Sequence, residues 1–249
     1  MEQIDRTEGL KALIRQGLQA IAHKDTLALL GDRSSYVGMS DIGQHWECPR
    51  AAVARKVLPT TNSLERLLTL QRGHWFESGV GQALESLGLH VLPQLEITWQ
   101  HQGVPIKAHL DFVLVWGASV NAIRILEVKS TDKLPDIPHD SHLLQLHGQI
   151  GLLVKAWNKP VFSHRAEDGT LLHEKMTFPQ LCRAQLGLEM PLTAAKTSIE
   201  AWLLCLSMKE VKAFGPYGFN QAMLDTALDH AAQLWGELTD FRAGHITLA

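Results

Sequence analysis

The chain has 249 residues, with 23 Lys and Arg against 26 Asp and Glu, and a formal net charge of -3 at pH 7. Its 45% hydrophobic and 20% charged residues are typical of a folded domain and exclude a disordered or low-complexity chain. Because the charge is nearly balanced, any contact with nucleic acid has to come from a local basic patch.

The opening residues, MEQIDRTEGL, lack the basic segment and apolar stretch of a secretory signal. No apolar run approaches the roughly 18 residues that a membrane span requires, so we expect a cytoplasmic protein without a membrane partner. The three cysteines, Cys48, Cys182 and Cys205, are far apart and form no CxxC pair, which argues against a disulfide framework and favours a reducing compartment. Cys205 lies in an apolar run and is expected to be buried.

Helical periodicity predicts two long helices in the first third of the chain, over residues 7–30 and 63–87. The second is amphipathic, with an apolar side that includes Leu67, Leu68 and Leu87. Between them, Ser40 and Asp41 give an N-cap signal for a short helix.

From residue 90 the apolar period changes to two, which is typical of strands. The sequence predicts strands over 90–100, 106–116 and 122–130, a helix over 143–157, a hairpin over 161–178, a strand over 200–208 and a helix over 221–242. This order predicts an α/β fold in which helices flank a mixed central sheet. We expect an N-terminal helical region (1–62) and a core domain with its C-terminal helix (63–249).

Charged residues stand inside two of these apolar strands. Glu127 and Lys129 are two residues apart on one strand, so they project from the same face. A turn near residue 119 pairs Val113 with Ile125 and sets Asp111 opposite Glu127. Two opposed carboxylates and a lysine would then meet at one end of the hairpin.

These strands are apolar on both faces, so charge is costly there and indicates chemistry in preference to a solvated surface hairpin. Opposed carboxylates repel unless a cation separates them, and a hard divalent ion such as Mg²⁺ or Mn²⁺ suits oxygen ligands. That ion would activate water and polarise a phosphoryl oxygen, with Lys129 orienting the water or stabilising negative charge. The alternative is a metal-free hydrolase with Asp111 and Glu127 as acid and base, in which Lys129 is unexplained.

In this order and spacing, Asp111 and Glu127-Val128-Lys129 resemble the core signature of the PD-(D/E)XK nucleases of the RecB-like group. The resemblance implies a restriction-endonuclease-like fold and an Mg²⁺- or Mn²⁺-dependent deoxyribonuclease that hydrolyses phosphodiester bonds.

Two further motifs extend the resemblance. The segment from Gly73 to Glu77 is similar to the family's first motif, which implies Glu77, or His74 in its place, as a further metal ligand beside Asp111 and Glu127. Gln145 occupies the position of a Gln-x-x-x-Tyr motif and is expected to position phosphate or water, although Gln149 stands where the tyrosine would be.

The segment from Tyr36 to Cys48-Pro49-Arg50 resembles the opening of the CRISPR-associated exonucleases and their phage relatives. This implies a single-strand exonuclease of CRISPR spacer acquisition or, alternatively, of phage or mobile-element recombination and repair, with an integrase or recombination protein as a possible partner. A non-cutting nuclease-fold subunit that binds DNA is the rival from another class. The residues expected to contact DNA are Trp75, Lys107 and Arg50.

In that subgroup the cysteine of Cys-Pro-Arg joins three cysteines beyond the last helix in a four-iron cluster. Only Cys48 stands at such a position, so we expect no complete iron–sulfur cluster. We expect Cys48 instead to be a small apolar residue under the N-terminal helices, and the 221–242 helix to tie the chain ends by packing. Three histidines with no standard zinc spacing are expected to be solvated or in contact with substrate: His139, His142 and His147.

Overall fold

The computed structural model describes residues 6–58, 62–117, 121–166 and 168–247. Within these ranges the helices are α1 (Arg6–Leu30), α2 (Met39–Glu47), α3 (Pro49–Val57), α4 (Leu64–Ser86), α5 (Asp140–Ala156), α6 (Phe178–Leu186) and α7 (Gln221–Arg242). The strands are β1 (Val37–Gly38), β2 (Val91–His101), β3 (Val104–Trp116), β4 (Ala122–Ser130), β5 (Phe162–Arg165), β6 (Leu171–Met176), β7 (Ser198–Leu206) and β8 (Val211–Tyr217).

All eight strands belong to one mixed sheet with the order β6-β5-β2-β3-β4-β7-β8, and β1 pairs with β3 outside this path. The pairs β4 with β7 and β1 with β3 are parallel, while the other neighbouring strands are antiparallel. The predicted α/β fold, a mixed central sheet flanked by helices, is confirmed.

The central strands are covered on both faces. Val113 and Ile125 belong to the main core, which includes apolar side chains of α5 and α7. On the same two strands, Phe112 and Val128 point to the opposite face, where they form a smaller core with Val80 of α4. Polar groups inside this part of the sheet therefore have little access to water.

The sequence located most of these elements, but four of the helices and strands were not predicted: α3, α6, β1 and β8. Thr177 caps the start of α6 and forms a capping box with Gln180. The predicted 161–178 hairpin includes Thr177, so this helix signal was not recognised. The β8 strand contains Pro216, which the edge of a sheet tolerates because one side of an edge strand needs no donor. The predicted turn after residue 117 lies partly outside the described residues.

Two predictions about burial are wrong. Cys48 is exposed. It is the single residue between α2 and α3, so it belongs to the packed face of neither helix. On the predicted apolar side of α4, Leu67 is buried, but Leu68 and Leu87 are exposed. The expected burial of Cys205 is confirmed.

The 221–242 helix, which was predicted to tie the chain ends, packs as α7 against the short helices α2 and α3 of the N-terminal region. Its Arg242 Nη2 donates a hydrogen bond of 2.7 Å to the Ser34 carbonyl oxygen. Among the described residues, none of the helices has the length and apolarity needed to cross a membrane.

Candidate active site

The candidate site lies where strand β3 changes its neighbour. β4 pairs with β3 only as far as Phe112, which faces Leu126, and β1 pairs with β3 at Ile106 and Lys107. Within the described residues, positions 108–111 of β3 therefore have no strand partner on that side. We call this opening between β1 and β4 the fork.

The register of the hairpin is the predicted one, with Val113 facing Ile125. Regular pairing stops one residue before Asp111 and Glu127, so these two residues do not form a ladder pair. Asp111 Oδ2 accepts a hydrogen bond of 2.8 Å from the backbone N–H of Val128 instead. A side-chain carboxylate thus replaces the missing backbone acceptor at the point where the strands separate.

Glu127 is 1% exposed, and both of its carboxylate oxygens are held by donors. Oε1 accepts hydrogen bonds from Lys129 Nζ at 2.7 Å and from Gln145 Nε2 at 2.5 Å. Oε2 accepts one from Gln149 Nε2 at 2.8 Å, and the same amide lies 2.9 Å from the His109 carbonyl oxygen inside the fork. Helix α5 therefore fixes the Glu127 side chain and also donates a hydrogen bond to a backbone carbonyl on the unpaired edge of β3.

Helix α4 brings a third carboxylate to the same cavity. Glu77 Oε2 accepts a hydrogen bond of 3.4 Å from Gln94 Nε2 and lies 4.0 Å from His74 Nδ1. Glu77 and His74 both line the cavity that contains Asp111 and Glu127. The two residues predicted as alternative ligands are thus neighbours on one side of the site.

The three carboxylates share one nearby ammonium group. Burial and the charge of Glu127 raise the pKa of Glu77 to about 7. Burial, Glu127 and Glu77 raise the pKa of Asp111 well above its ordinary value. Burial alone would lower the pKa of Lys129, but Glu127 and Asp111 outweigh that effect and raise it. The site is therefore short of positive charge.

The cavity has a volume of about 480 Å³ and extends from these carboxylates toward the N-terminal region. Its other cationic side chains are Arg33, Lys107 and Arg165. Lys107 Nζ lies 3.1 Å from Glu96 Oε2 and 4.9 Å from the centroid of the Tyr36 ring. The opening is large enough for a small-molecule-sized group beside the carboxylates.

The donor set suits a hard divalent ion, because it consists of carboxylate oxygens in a site that lacks compensating positive charge. In the described part of the chain, no three His, Cys, Asp or Glu side chains are grouped closely enough to hold a metal ion by themselves. Mg²⁺ commonly keeps several waters and uses one or two carboxylates together with substrate phosphates. Asp111 and Glu127 supply two carboxylates to the wall of this cavity.

The structure brings together Asp111, Glu127, Lys129, Gln145, Glu77, His74 and Lys107 of the predicted site residues. It does not bring Trp75 and Arg50 to them. Trp75 is 57% exposed on α4, Arg50 is exposed on α3, and neither lines the cavity among the described residues.

Sequence reasoning noted Gln149 only as a departure from a motif, yet its amide contacts Glu127 directly. Its position four residues after Gln145 places both amides on one face of α5, and that spacing was the available signal. His109 contributes through its backbone carbonyl, which no side-chain pattern reveals.

No protein-family model matches the chain, and no curated protein sequence matches it. Among solved structures, it is similar to SSO0001, with 10% identity and a TM-score of 0.49 over 82% of this chain and 76% of that one. It is also similar to an alkaline exonuclease (LHK-Exo) from Laribacter hongkongensis, with 10% identity and a TM-score of 0.43 over 89% of this chain and 98% of that one. For that exonuclease in complex with dAMP the identity is 10% and the TM-score is 0.40, over 91% of this chain and 100% of that one.

Proposed function

We propose that this chain is a metal-dependent deoxyribonuclease that hydrolyses phosphodiester bonds at the fork between β1 and β4. The observation that carries the proposal is the group formed by the buried Glu127 and the partly buried Asp111 and Lys129 at the end of a strand pairing. Three carboxylates around one ammonium group cost stability in a covered sheet, and a chemical role explains why they are there.

Asp111 and Glu127, with Glu77 at the side of the cavity, would hold Mg²⁺ or Mn²⁺. The bound ion would supply Lewis-acid polarisation of a phosphoryl oxygen and a more acidic water. Gln145 and Gln149 keep the Glu127 carboxylate in one orientation through hydrogen bonds to both of its oxygens. This orientation is set before substrate arrives, because α5 carries both amides.

Lys129 is suited to the negative charge that develops during hydrolysis. Its Nζ lies 2.7 Å from Glu127 Oε1 and 3.1 Å from Gln145 Oε1. Since nearby carboxylates raise its pKa, the side chain is protonated at neutral pH and offers a fixed positive charge beside the reacting phosphate. In a metal-free hydrolase that used Asp111 and Glu127 as acid and base, Lys129 would have no such role.

The finer assignments remain our proposals: single-strand exonuclease activity, and a place in CRISPR spacer acquisition or in phage or mobile-element recombination. They start from the resemblance of the segment that ends in Cys48-Pro49-Arg50. A non-cutting DNA-binding subunit is disfavoured, because binding alone does not need three carboxylates, one of them fully buried, next to a lysine.

The test is cleavage of end-labelled single-stranded and double-stranded DNA with Mn²⁺, with Mg²⁺ and with EDTA. We expect cleavage only with a divalent ion, and faster cleavage of single strands. Binding of both DNAs without any cleavage would favour the binding subunit. Cleavage that continues in EDTA would favour the metal-free hydrolase.

A further inference from the structure

A second cavity, of about 370 Å³, meets the first at Lys129. Among the described residues, Lys129 is the one side chain that lines both cavities. The second is bounded by Ser130 and Thr131 at the end of β4, by His139 and His142 at the start of α5, and by Cys205 on β7. We call it the His142 cavity.

Hydrogen bonds hold the wall of the His142 cavity in place. Arg72 Nε donates to Ser130 Oγ at 2.7 Å, and the Thr131 N–H donates to the Leu206 carbonyl oxygen at 2.9 Å. On the loop that leads to α5, Lys212 Nζ donates to the Asp136 carbonyl oxygen at 2.9 Å. The cavity is therefore formed in the free protein and does not depend on a ligand to order it.

His142 presents an aromatic ring in this wall. Its ring centroid lies 5.3 Å from that of His139, at an interplanar angle of 82°. His142 Nδ1 is buried and, within the described residues, has no hydrogen-bond partner. Burial and the charges of Lys129 and His139 lower the pKa of His142 to about 4, so the ring is neutral at pH 7. A neutral imidazole is suited to contact with a nucleobase and not to pairing with a phosphate.

The inference rests on the proposed function, because it begins with a phosphodiester held at Lys129 and Glu127. In a polynucleotide that phosphodiester has a nucleotide on each side, and the two cavities that meet at Lys129 offer a place for each. We propose that the His142 cavity receives the nucleotide on the far side of the scissile phosphate, with the His142 ring against its base. Its volume is at the low end of small-molecule sites, which suits one unpaired nucleotide.

DNA binding, measured without cleavage, tests this inference independently of the proposed hydrolysis. Fluorescence anisotropy of labelled oligothymidylate in EDTA reports affinity without cleavage. We expect His142→Ala to weaken binding about tenfold, because base stacking on an aromatic side chain accounts for a loss of this order. His142→Phe keeps an aromatic face and is expected to bind within about twofold of the unmutated protein. His147→Ala is the control, since the His147 ring lies on the same helix but packs against Tyr217.

Cleavage provides the second reading. The methyl esters of thymidine 3′- and 5′-monophosphate carry one nucleoside and only a methyl group on the other side of the phosphate, so they can occupy the first cavity without filling the His142 cavity. We expect His142→Ala to hydrolyse them as fast as the unmutated protein does, while its KM for oligothymidylate in Mn²⁺ rises about tenfold. Thermal melting establishes that the variant is folded.

The inference is overturned if His142→Ala binds and cleaves oligothymidylate like the unmutated protein. It is likewise overturned if His142→Ala loses as much activity on the single-nucleoside esters as on oligothymidylate. It is also overturned if His142→Phe is as weak as His142→Ala. If none of the proteins cleaves DNA but the binding pattern holds, the proposed function fails and the binding site stands.

Discussion

Asp111 Oδ2 accepts a 2.8 Å hydrogen bond from the backbone N–H of Val128 at the position where β3 and β4 stop pairing. This bond makes the aspartate part of the sheet as well as part of the proposed site. Its negative charge, in contrast, is unfavourable, because burial and two other carboxylates raise its pKa. The structural and the chemical contributions of Asp111 can therefore be separated by one substitution.

We expect Asp111→Asn to raise the free energy of unfolding by about 1 kcal/mol at pH 7 and to lower the cleavage rate at least about a hundredfold. The amide keeps an oxygen acceptor for Val128 but removes the repelling charge. Urea unfolding in EDTA and cleavage of labelled DNA measure the two effects. Asp136→Asn, at an exposed loop position, is the control. A variant that loses stability and keeps activity would contradict both assignments.

Gln149 is expected to matter for stability and for rate, because its amide joins Glu127 to the open edge of β3. Gln149→Leu leaves a buried carboxylate oxygen and the His109 carbonyl without this donor, which should cost about 1–3 kcal/mol. We also expect kcat to fall while KM changes little, since Glu127 loses its fixed orientation. Gln82→Leu, at an exposed position of α4, is the matched control and should change neither. Equal stability of the Gln149 variant and its control would refute the role.

Close contact between α2 and α5 sets the position of the helix that carries both glutamines. A Cβ atom on Gly43 would lie 2.6 Å from the Ser141 carbonyl oxygen, and a backbone atom cannot easily move away. We expect Gly43→Ala to reduce the free energy of unfolding by about 1–3 kcal/mol. At Gly79 in α4, a new Cβ meets no other part of the protein within 4 Å beyond its own stretch of helix, so Gly79→Ala should increase the free energy of unfolding by up to about 1 kcal/mol. Equal changes in a thermal melt would show that the helices are not in this contact.

The environment of Glu96 should make the free energy of unfolding depend on pH in the acid range. Burial alone would raise its pKa, but hydrogen bonds and charge from His109 and Lys107 outweigh burial and lower the pKa to about 2 from an ordinary 4.5. Because the folded-state pKa is the lower one, this stabilisation is present above about pH 4.5 and is lost as the pH falls toward 2.

We therefore expect Glu96→Gln to be less stable than the unmutated protein by about 1–3 kcal/mol at pH 7. The difference should disappear near pH 2 and below, where the native carboxyl is protonated as well. Urea titrations across this pH range measure it, with the exposed Glu174→Gln as control. A difference that stays constant with pH would mean that packing, and not the charge of Glu96, is responsible.

The central strands and the site were predictable because they follow from local rules. Period-two alternation marks β3 and β4, and the register that pairs Val113 with Ile125 brings Asp111 and Glu127 to one end. The fork itself could not be predicted, since it depends on β1, a two-residue strand that joins β3 from far away in the sequence. The contact of Gln149 with Glu127 arises in the same way, from packing of α5 over a gap in the sheet.

The most direct test of the account is the rate at which purified Glu127→Ala and Lys129→Ala cleave end-labelled single-stranded DNA with Mn²⁺, beside the unmutated protein with Mn²⁺ and with EDTA. We predict that the unmutated protein cleaves only with Mn²⁺. Both variants should remain folded and cleave at least about a hundredfold more slowly, because each loses a group that acts at the reacting phosphate. Unchanged cleavage by either folded variant would contradict the account.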